Sequence, residues 1–210
     1  MSEEYNKLFE YFKSFPGIGK RQAERFVYHI LTREQSWVDN FVSEIQKSKS
    51  GVKACADCCR VFRNKYGEKF DLCDLCRSLV RDRSLLAVVE RNIDAEVMLK
   101  KGSWTGLVFV LGGQFQVVEK KNPPRINLPE LLTFVKKLSA EGLREIVLCN
   151  SLNPDGVFTA GVLNQKIKEL EIKDLKVTTF GRGFSTGTEL EYADKDTLQN
   201  ALKNRSGDFI

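Results

Sequence analysis

The 210-residue sequence holds a single histidine, His29. Chemistry that pairs a serine or cysteine nucleophile with an imidazole base would have to rest on that one residue. His29 falls in a helical pattern among apolar neighbours, where a helix-packing role suffices. No apolar run approaches the ~18 residues needed to cross a bilayer. The first residues, MSEEYNKLFE, contain no signal-peptide core. The expectation is therefore a soluble cytoplasmic protein with no membrane partner. Internal repeats and low-complexity segments are also absent. Charge is modest: the formal net is +5, with 16 basic and 12 acidic side chains in residues 1–83 and 17 and 16 in the remainder. Such an excess does not by itself establish nucleic-acid binding.

Cysteine is the residue present with a pattern. The segment CADCCRVFRNKYGEKFDLCDLC contains two Cys-x-x-Cys pairs, Cys55/Cys58 and Cys73/Cys76, around a polar loop of 14 residues. Each Cys-x-x-Cys turn presents two thiolates, and a loop of this length folds the second turn back onto the first to complete a tetrahedron. Two disulfides are the alternative, but disulfides belong to secreted chains. The expected cofactor is one structural zinc per chain. Four thiolate ligands leave the metal no open position, so it staples and does not catalyse. Cys55-x-x-x-Cys59 is also a permitted spacing. Cys58 is preferred because it repeats the geometry of Cys73/Cys76, which leaves Cys59 a free neighbour. Cys149, in the run IVLC, reads as a small core hydrophobe.

Upstream, Tyr5, Leu8, Phe9 and Phe12 share one helix face, and Ala23, Phe26, Val27, Ile30 and Leu31 share another. Pro16-Gly17-Ile18-Gly19 joins the two helices. Glycines there permit backbone angles that leave amides at the next helix's N-terminus free to meet an anion. Lys20, Arg21 and Arg25 add positive charge. This is a helix–hairpin–helix pattern, with Gly17, Gly19, Lys20, Arg21 and Arg25 as candidate DNA contacts. A third helix is expected over about 34–48, followed by a polar linker over 48–53.

After Cys76 the period changes. Strands are expected at 85–90, 106–113, 145–149 and 175–180, alternating with helices near 92–101, 128–138 and 156–170. This alternation favours a parallel α/β sheet with right-handed crossovers. Ligands bind such sheets at the carboxyl ends of their strands. Glu90, Asp94 and Asp155 lie there, and carboxylates of this kind can hold magnesium; solvated acids at strand ends are the preferred reading. GRGFSTGTELEY (181–192) is glycine-rich but has no Gly-Lys-Ser/Thr, so it is not a phosphate-binding Walker loop; a mobile or interface-forming loop is expected. A last helix carries Leu198, Ala201 and Leu202 on its apolar side.

The succession FPGIGKRQAERF, CADC…CDLC, RDRSLLAVVE and GTELEYADKDTLQNALKNR resembles the RecR family of bacterial recombination mediators, nearly end to end. The resemblance implies a helix–hairpin–helix domain (1–53), a four-cysteine zinc finger (54–77), a Toprim-like parallel-sheet α/β domain (78–180) and a C-terminal interface segment (181–210). It implies a ring-shaped homotetramer, with dimers as one route of assembly, that binds single- or double-stranded DNA. With RecO-like and RecF-like partners it would help load RecA onto single-stranded DNA coated by single-strand-binding protein. No catalytic activity is implied, and Glu90, Asp94 and Asp155 would be vestigial Toprim acids. The chain departs from the family pattern at Ser151-Leu152-Asn153-Pro154-Asp155-Gly156, where the family resembles Asn-Pro-x-x-Glu-Gly, and at QFQVVEKKNPPRIN, where the family continues with Ser-Pro and Gly-Pro. The competing functions are a magnesium-dependent, catalytic Toprim enzyme of nuclease or primase type and a zinc-stapled interaction protein that never touches DNA.

Overall fold

The computed structural model describes residues 2–64, 69–100, 102, 104–118, 125–181, 187 and 189–203, without the side chain of Asp196. Segment 182–186 and Thr188, for which a mobile or interface-forming loop is expected, lie outside these residues. The chain divides into two compact units, Met1–Val52 and Lys53–Ile210.

The first unit is helical. Helix α1 (Glu3–Lys13) begins where the Ser2 hydroxyl accepts from the Tyr5 amide, with Glu3 and Glu4 in the first turn and Lys13 in the last, as the helix dipole favours. A tight turn follows, closed by the Ile18 amide donating to the Phe15 carbonyl at 3.1 Å. Pro16 and Gly17 occupy its two central positions, and Gly17 takes φ +76°, which glycine adopts without steric cost. Helices α2 (Lys20–Leu31) and α3 (Gln35–Lys49) complete the unit. Tyr5 meets Tyr28 and Phe12 meets Phe26, with ring centroids 5.8 and 5.5 Å apart. His29 is exposed, yet it packs edge-on against Trp37 of α3 and is bonded to Arg33, a helix-packing contact made at the surface. Its helical pattern is real, but α2 buries only Ala23 and Val27.

A hairpin begins at the last residue of the first unit, β1 (Val52–Ala54) and β2 (Val61–Arg63), and a short helix α4 (Asp74–Arg77) follows it in the second. The hairpin starts inside the segment expected to be a polar linker. Then follow β3 (Asp82–Val89), α5 (Asn92–Lys100), β4 (Gly106–Val110), α6 (Leu128–Ala140), β5 (Glu145–Cys149), α7 (Pro154–Lys168), β6 (Lys176–Thr179) and α8 (Lys195–Lys203). The four long strands form one parallel sheet in the order β4-β3-β5-β6. The fold is thus α/β, as the alternation of strands and helices indicates.

Burial on both faces explains the apolar strands. Leu86, Val88, Leu107, Phe109, Ile146 and Leu148 point to the face covered by Leu131, Phe134, Val135 and Leu138 of α6 and Leu163 and Ile167 of α7. Ala87, Val89, Val108 and Val110 point the other way, toward Ala95 of α5, Trp104 and Cys149. Cys149 is a packed thiol, as expected, and burial pushes its pKa up to about 12. Strand β4 ends at Val110, three residues short of the expected limit. The chain leaves the ladder through Gly112, at φ +95°, where a Cβ would stand 2.9 Å from the Arg125 carbonyl oxygen.

Candidate metal centre and nucleic-acid interface

Cys55, Cys58, Cys73 and Cys76 are buried, and their sulfur atoms all lie within 4.8 Å of one another. A tetrahedron with metal–sulfur bonds of ~2.3 Å has edges of about 3.8 Å, and Cys58 Sγ lies 3.5 Å from Cys73 Sγ. Local structure sets this arrangement. The first knuckle is a turn in which the Cys59 amide donates to the Cys55 carbonyl at 3.0 Å. The second runs into α4, where the Arg77 amide donates to the Cys73 carbonyl at 3.1 Å. The knuckles are tied together by the Cys73 amide donating to Cys55 Sγ at 3.2 Å.

Four thiols this close cannot all ionise without a cation. S–H donation from Cys58, Cys73 and Cys76 holds the Cys55 thiol far below its ordinary range. The same neighbours, Cys55 foremost, push Cys76 far above it. A thiophilic dication resolves that conflict, so the donor set fits one. Cys59 is not part of the quartet. It is only half-buried, takes φ +57°, and desolvation raises its pKa to about 11.

The knot is fastened to the sheet. The Val110 amide donates to the Cys58 carbonyl at 2.9 Å, the Val61 amide to Asn92 Oδ1 at 2.7 Å, and Lys137 Nζ to Asp57 Oδ2 at 2.6 Å. Arg60 reaches Asp74 and, at 3.3 Å, Glu96 of α5. Burial works against the Arg60 charge, but Cys73 and Asp74 more than offset it, so its guanidinium stays cationic beside the sulfurs.

In the first unit, Gly19 caps α2 with an extended backbone (φ −84°) and no side chain accepts from the first turn. Of the two hairpin glycines, only Gly17 needs its conformational freedom. Lys20, Arg21 and Arg25 are all exposed, and the first turn of α2 carries no acid. First-turn amides without a side-chain acceptor, the positive helix end and exposed Lys20 and Arg21 thus lie together at the start of α2, with Arg25 a turn further on.

The third candidate region is the crevice where the chain reverses direction across the sheet, since β4 lies on one side of β3 and β5 on the other. A cleft of about 470 Å³ there is lined by Glu90, Arg91, Gln114, Gln116, Ser151 and Asp155 among others. Glu90 is 4% exposed. Its carboxylate accepts from Gln114 Nε2 at 2.7 Å, the Ser151 amide at 2.7 Å, the Ser151 hydroxyl at 2.8 Å and Asn150 Nδ2 at 3.4 Å. Burial pushes its pKa up, but these donors outweigh burial and the carboxyl titrates below its usual range. The loop carrying Ser151 is pressed against α7, where a Cβ on Gly156 would stand 2.1 Å from the Ser151 carbonyl oxygen. Asp94 turns away to Arg91 at 3.2 Å, and Asp155 accepts from the Val117 amide at 3.0 Å. The three acids do not converge. Among the described residues, the cysteine quartet is the only group of three or more histidine, cysteine or acidic side chains positioned to hold a metal.

Comparison with known proteins addresses the chain as a whole. A family model described as "RecR, C-terminal" matches residues 185–206. Curated proteins named Recombination protein RecR match almost end to end. That of Endomicrobium trichonymphae is 32% identical over 199 residues, covering 95% of this chain and 94% of its own. That of Staphylococcus aureus strain JH9 is 32% identical over 204 residues, covering 97% of each. The chain belongs to the RecR family. Within this RecR-family chain, several residues of the three regions escape sequence reading. Arg60, Gln114 and Ser151 are common residue types to which no motif assigns a role. Their hydrogen-bond and ion-pair partners mark them, and Arg60 is buried as well.

Proposed function

We propose that the chain is a non-catalytic DNA recombination mediator of the cytoplasm, acting as a ring-shaped homotetramer. In this reading it binds single- or double-stranded DNA and works with RecO-like and RecF-like partners to load RecA onto single strands covered by single-strand-binding protein. Near full-length similarity to proteins named Recombination protein RecR carries the proposal. One zinc, held by Cys55, Cys58, Cys73 and Cys76, would stiffen the knot and take no part in chemistry, since four thiolates fill its coordination sphere. Amides at the start of α2 would receive DNA phosphates, with Gly17 and Gly19 shaping the hairpin and Lys20, Arg21 and Arg25 supplying charge. The four hydrogen bonds that occupy Glu90 support a structural role for it in place of magnesium binding. The domain limits 1–53, 54–77, 78–180 and 181–210 remain part of this proposal.

The uncovered apolar surface of the first unit supports self-assembly. Phe12, Phe15, Phe26, Trp37 and Phe41 line a groove of about 520 Å³ that a second copy would fill. In a ring, several weakly charged subunits add their phosphate contacts, which a chain of net charge +5 needs. The decisive measurement is DNA affinity against salt for the Lys20→Ala/Arg21→Ala protein. Each lost phosphate contact flattens the slope of log K against log salt by about 0.9 on duplex and about 0.7 on single strands. A flattening of more than one unit at unchanged subunit number is expected. An unchanged slope would show that phosphates are gripped elsewhere.

A further inference from the structure

Helix α3 leaves most of its apolar face uncovered. It buries none of its 15 residues, and a helix of that length is marginal in water unless one face packs. Trp37, Phe41 and Ile45 stand at i, i+4 and i+8 with Val42 beside them, and all four are exposed. Trp37 and Phe41 stack with ring centroids 5.2 Å apart and border the groove shared with α1 and α2. Toward the C-terminal end of α3 a second hollow, of about 530 Å³, is lined by Phe41, Glu44, Ile45, Ser48, Lys49 and Val52. Charge is ordered along the helix. Glu34 is its N-cap residue and Lys49 its last. Lys47 pairs with Glu44 at 2.8 Å and Asp39 accepts from Gln35 at 2.9 Å, both within the helix. Among the described residues, neither the Glu34 nor the Lys49 side chain has an ion-pair partner.

We propose that α3 pairs with α3 of a second copy of this chain, antiparallel, about a two-fold axis near Phe41. The proposal rests on the reading that the chain self-assembles, and adds to it the helix that makes the contact and its direction. Counting outward from Phe41, Ile45 of one copy meets Trp37 of the other, which then covers the hollow beside Ile45. At the ends of the helix Lys49 comes level with Glu34. Every such pair occurs twice, because a two-fold contact is self-complementary. Charge sets the direction. The antiparallel arrangement puts acid against base at both ends and brings the positive end of each helix beside the negative end of the other. A parallel pair would set Glu34 against Glu34 and Lys49 against Lys49. Large aromatic side chains at the centre of the stripe, ringed by charges, are what a protein contact of this kind uses.

The test measures subunit association of the full-length protein by sedimentation, for the parent, Lys49→Glu, Glu34→Lys and the double variant. Each single swap makes two attractive contacts per dimer repulsive, so association should weaken about tenfold at low salt and less at high salt. The double variant should regain most of the parent's affinity. Within one chain both swaps oppose the helix dipole, so an effect confined to the chain would add in the double variant; only contact between copies is rescued. An assembled protein indifferent to either swap, or a double variant no better than the singles, overturns the pairing and leaves assembly to another surface. A parent that stays monomeric overturns self-assembly as well. Cysteine substitution reads the direction. Under mild oxidation Phe41→Cys should form a disulfide between chains, because the axis brings it to its own copy, whereas Ile45→Cys and the parent should not. Equal cross-linking of Phe41→Cys and Ile45→Cys would mean a parallel pair and overturns the proposal.

Discussion

The two compact units spend their apolar residues in opposite ways. In Lys53–Ile210 the sheet is buried on both faces, and Phe109, Phe134, Leu86 and Leu138 are fully enclosed within a single chain. In Met1–Val52 neither α1 nor α3 buries any residue, and Trp37, Phe41, Val42 and Ile45 remain 38–52% exposed. A parallel sheet brings strands distant in sequence together and closes its own core. Three short helices in about fifty residues cannot, because small domains have too much surface for their volume. The first unit therefore leaves apolar surface exposed within the chain, which is the surface the proposed assembly would cover, whereas the second encloses its own core.

The largest effect expected is at the knot. Structural zinc contributes roughly 10–16 kcal/mol of apparent binding free energy in small finger peptides. Cys58→Ser should abolish metal binding, seen by metal analysis of the purified protein, and lower the melting temperature of the second unit sharply. Retained zinc in that variant would show that Cys59 substitutes for it.

Core deletion sharpens the contrast between units. Phe109→Ala should cost about 3–5 kcal/mol in urea denaturation, since Phe109 is fully buried against Phe134. Trp37→Ala removes partly exposed ring contacts with Phe41 and His29 and should cost the first unit about 1–2 kcal/mol, less than the Phe109 deletion, yet reduce subunit number in sedimentation. If Trp37→Ala instead unfolds the unit without changing assembly, the exposed face is an internal core after all.

Glu90 should show its effect with pH. Its folded-state pKa is depressed, by hydrogen bonds that exceed the cost of burial. The stability it adds is fully present above the unfolded value, about 4.3, and is lost as pH falls through the lower folded value. Glu90→Gln should therefore be less stable than the parent at neutral pH, and the gap should narrow in acid. A gap that is constant with pH would mean the carboxylate's charge is not what holds Gln114 and Ser151. The smallest effect belongs to Cys59, half-buried and outside the quartet. Cys59→Ser should keep its zinc and change stability by under about 1 kcal/mol, measured by metal content and thermal melting.

Much of this was legible in the chain itself. Cys-x-x-Cys spacing picks out Cys55, Cys58, Cys73 and Cys76 because a metal's geometry is local to two turns. Strand–helix alternation implies the parallel sheet because crossovers obey chirality, and Pro16-Gly17 marks a turn because only certain backbone angles join two helices there. The fate of individual polar groups was not legible. Glu90, Asp94 and Asp155 look alike as acids near strand ends, yet Glu90 is enclosed by donors from two loops while Asp94 faces Arg91 and Asp155 caps the Val117 amide. His29 sits in an apolar pattern and is exposed, meeting only the edge of Trp37 from α3. Sequence determines what recurs along the chain: period, spacing and turn chemistry. Hydrogen-bond partners and burial depend on which distant segments meet, and only the packed sheet, with its loops folded over the strand ends, decides that.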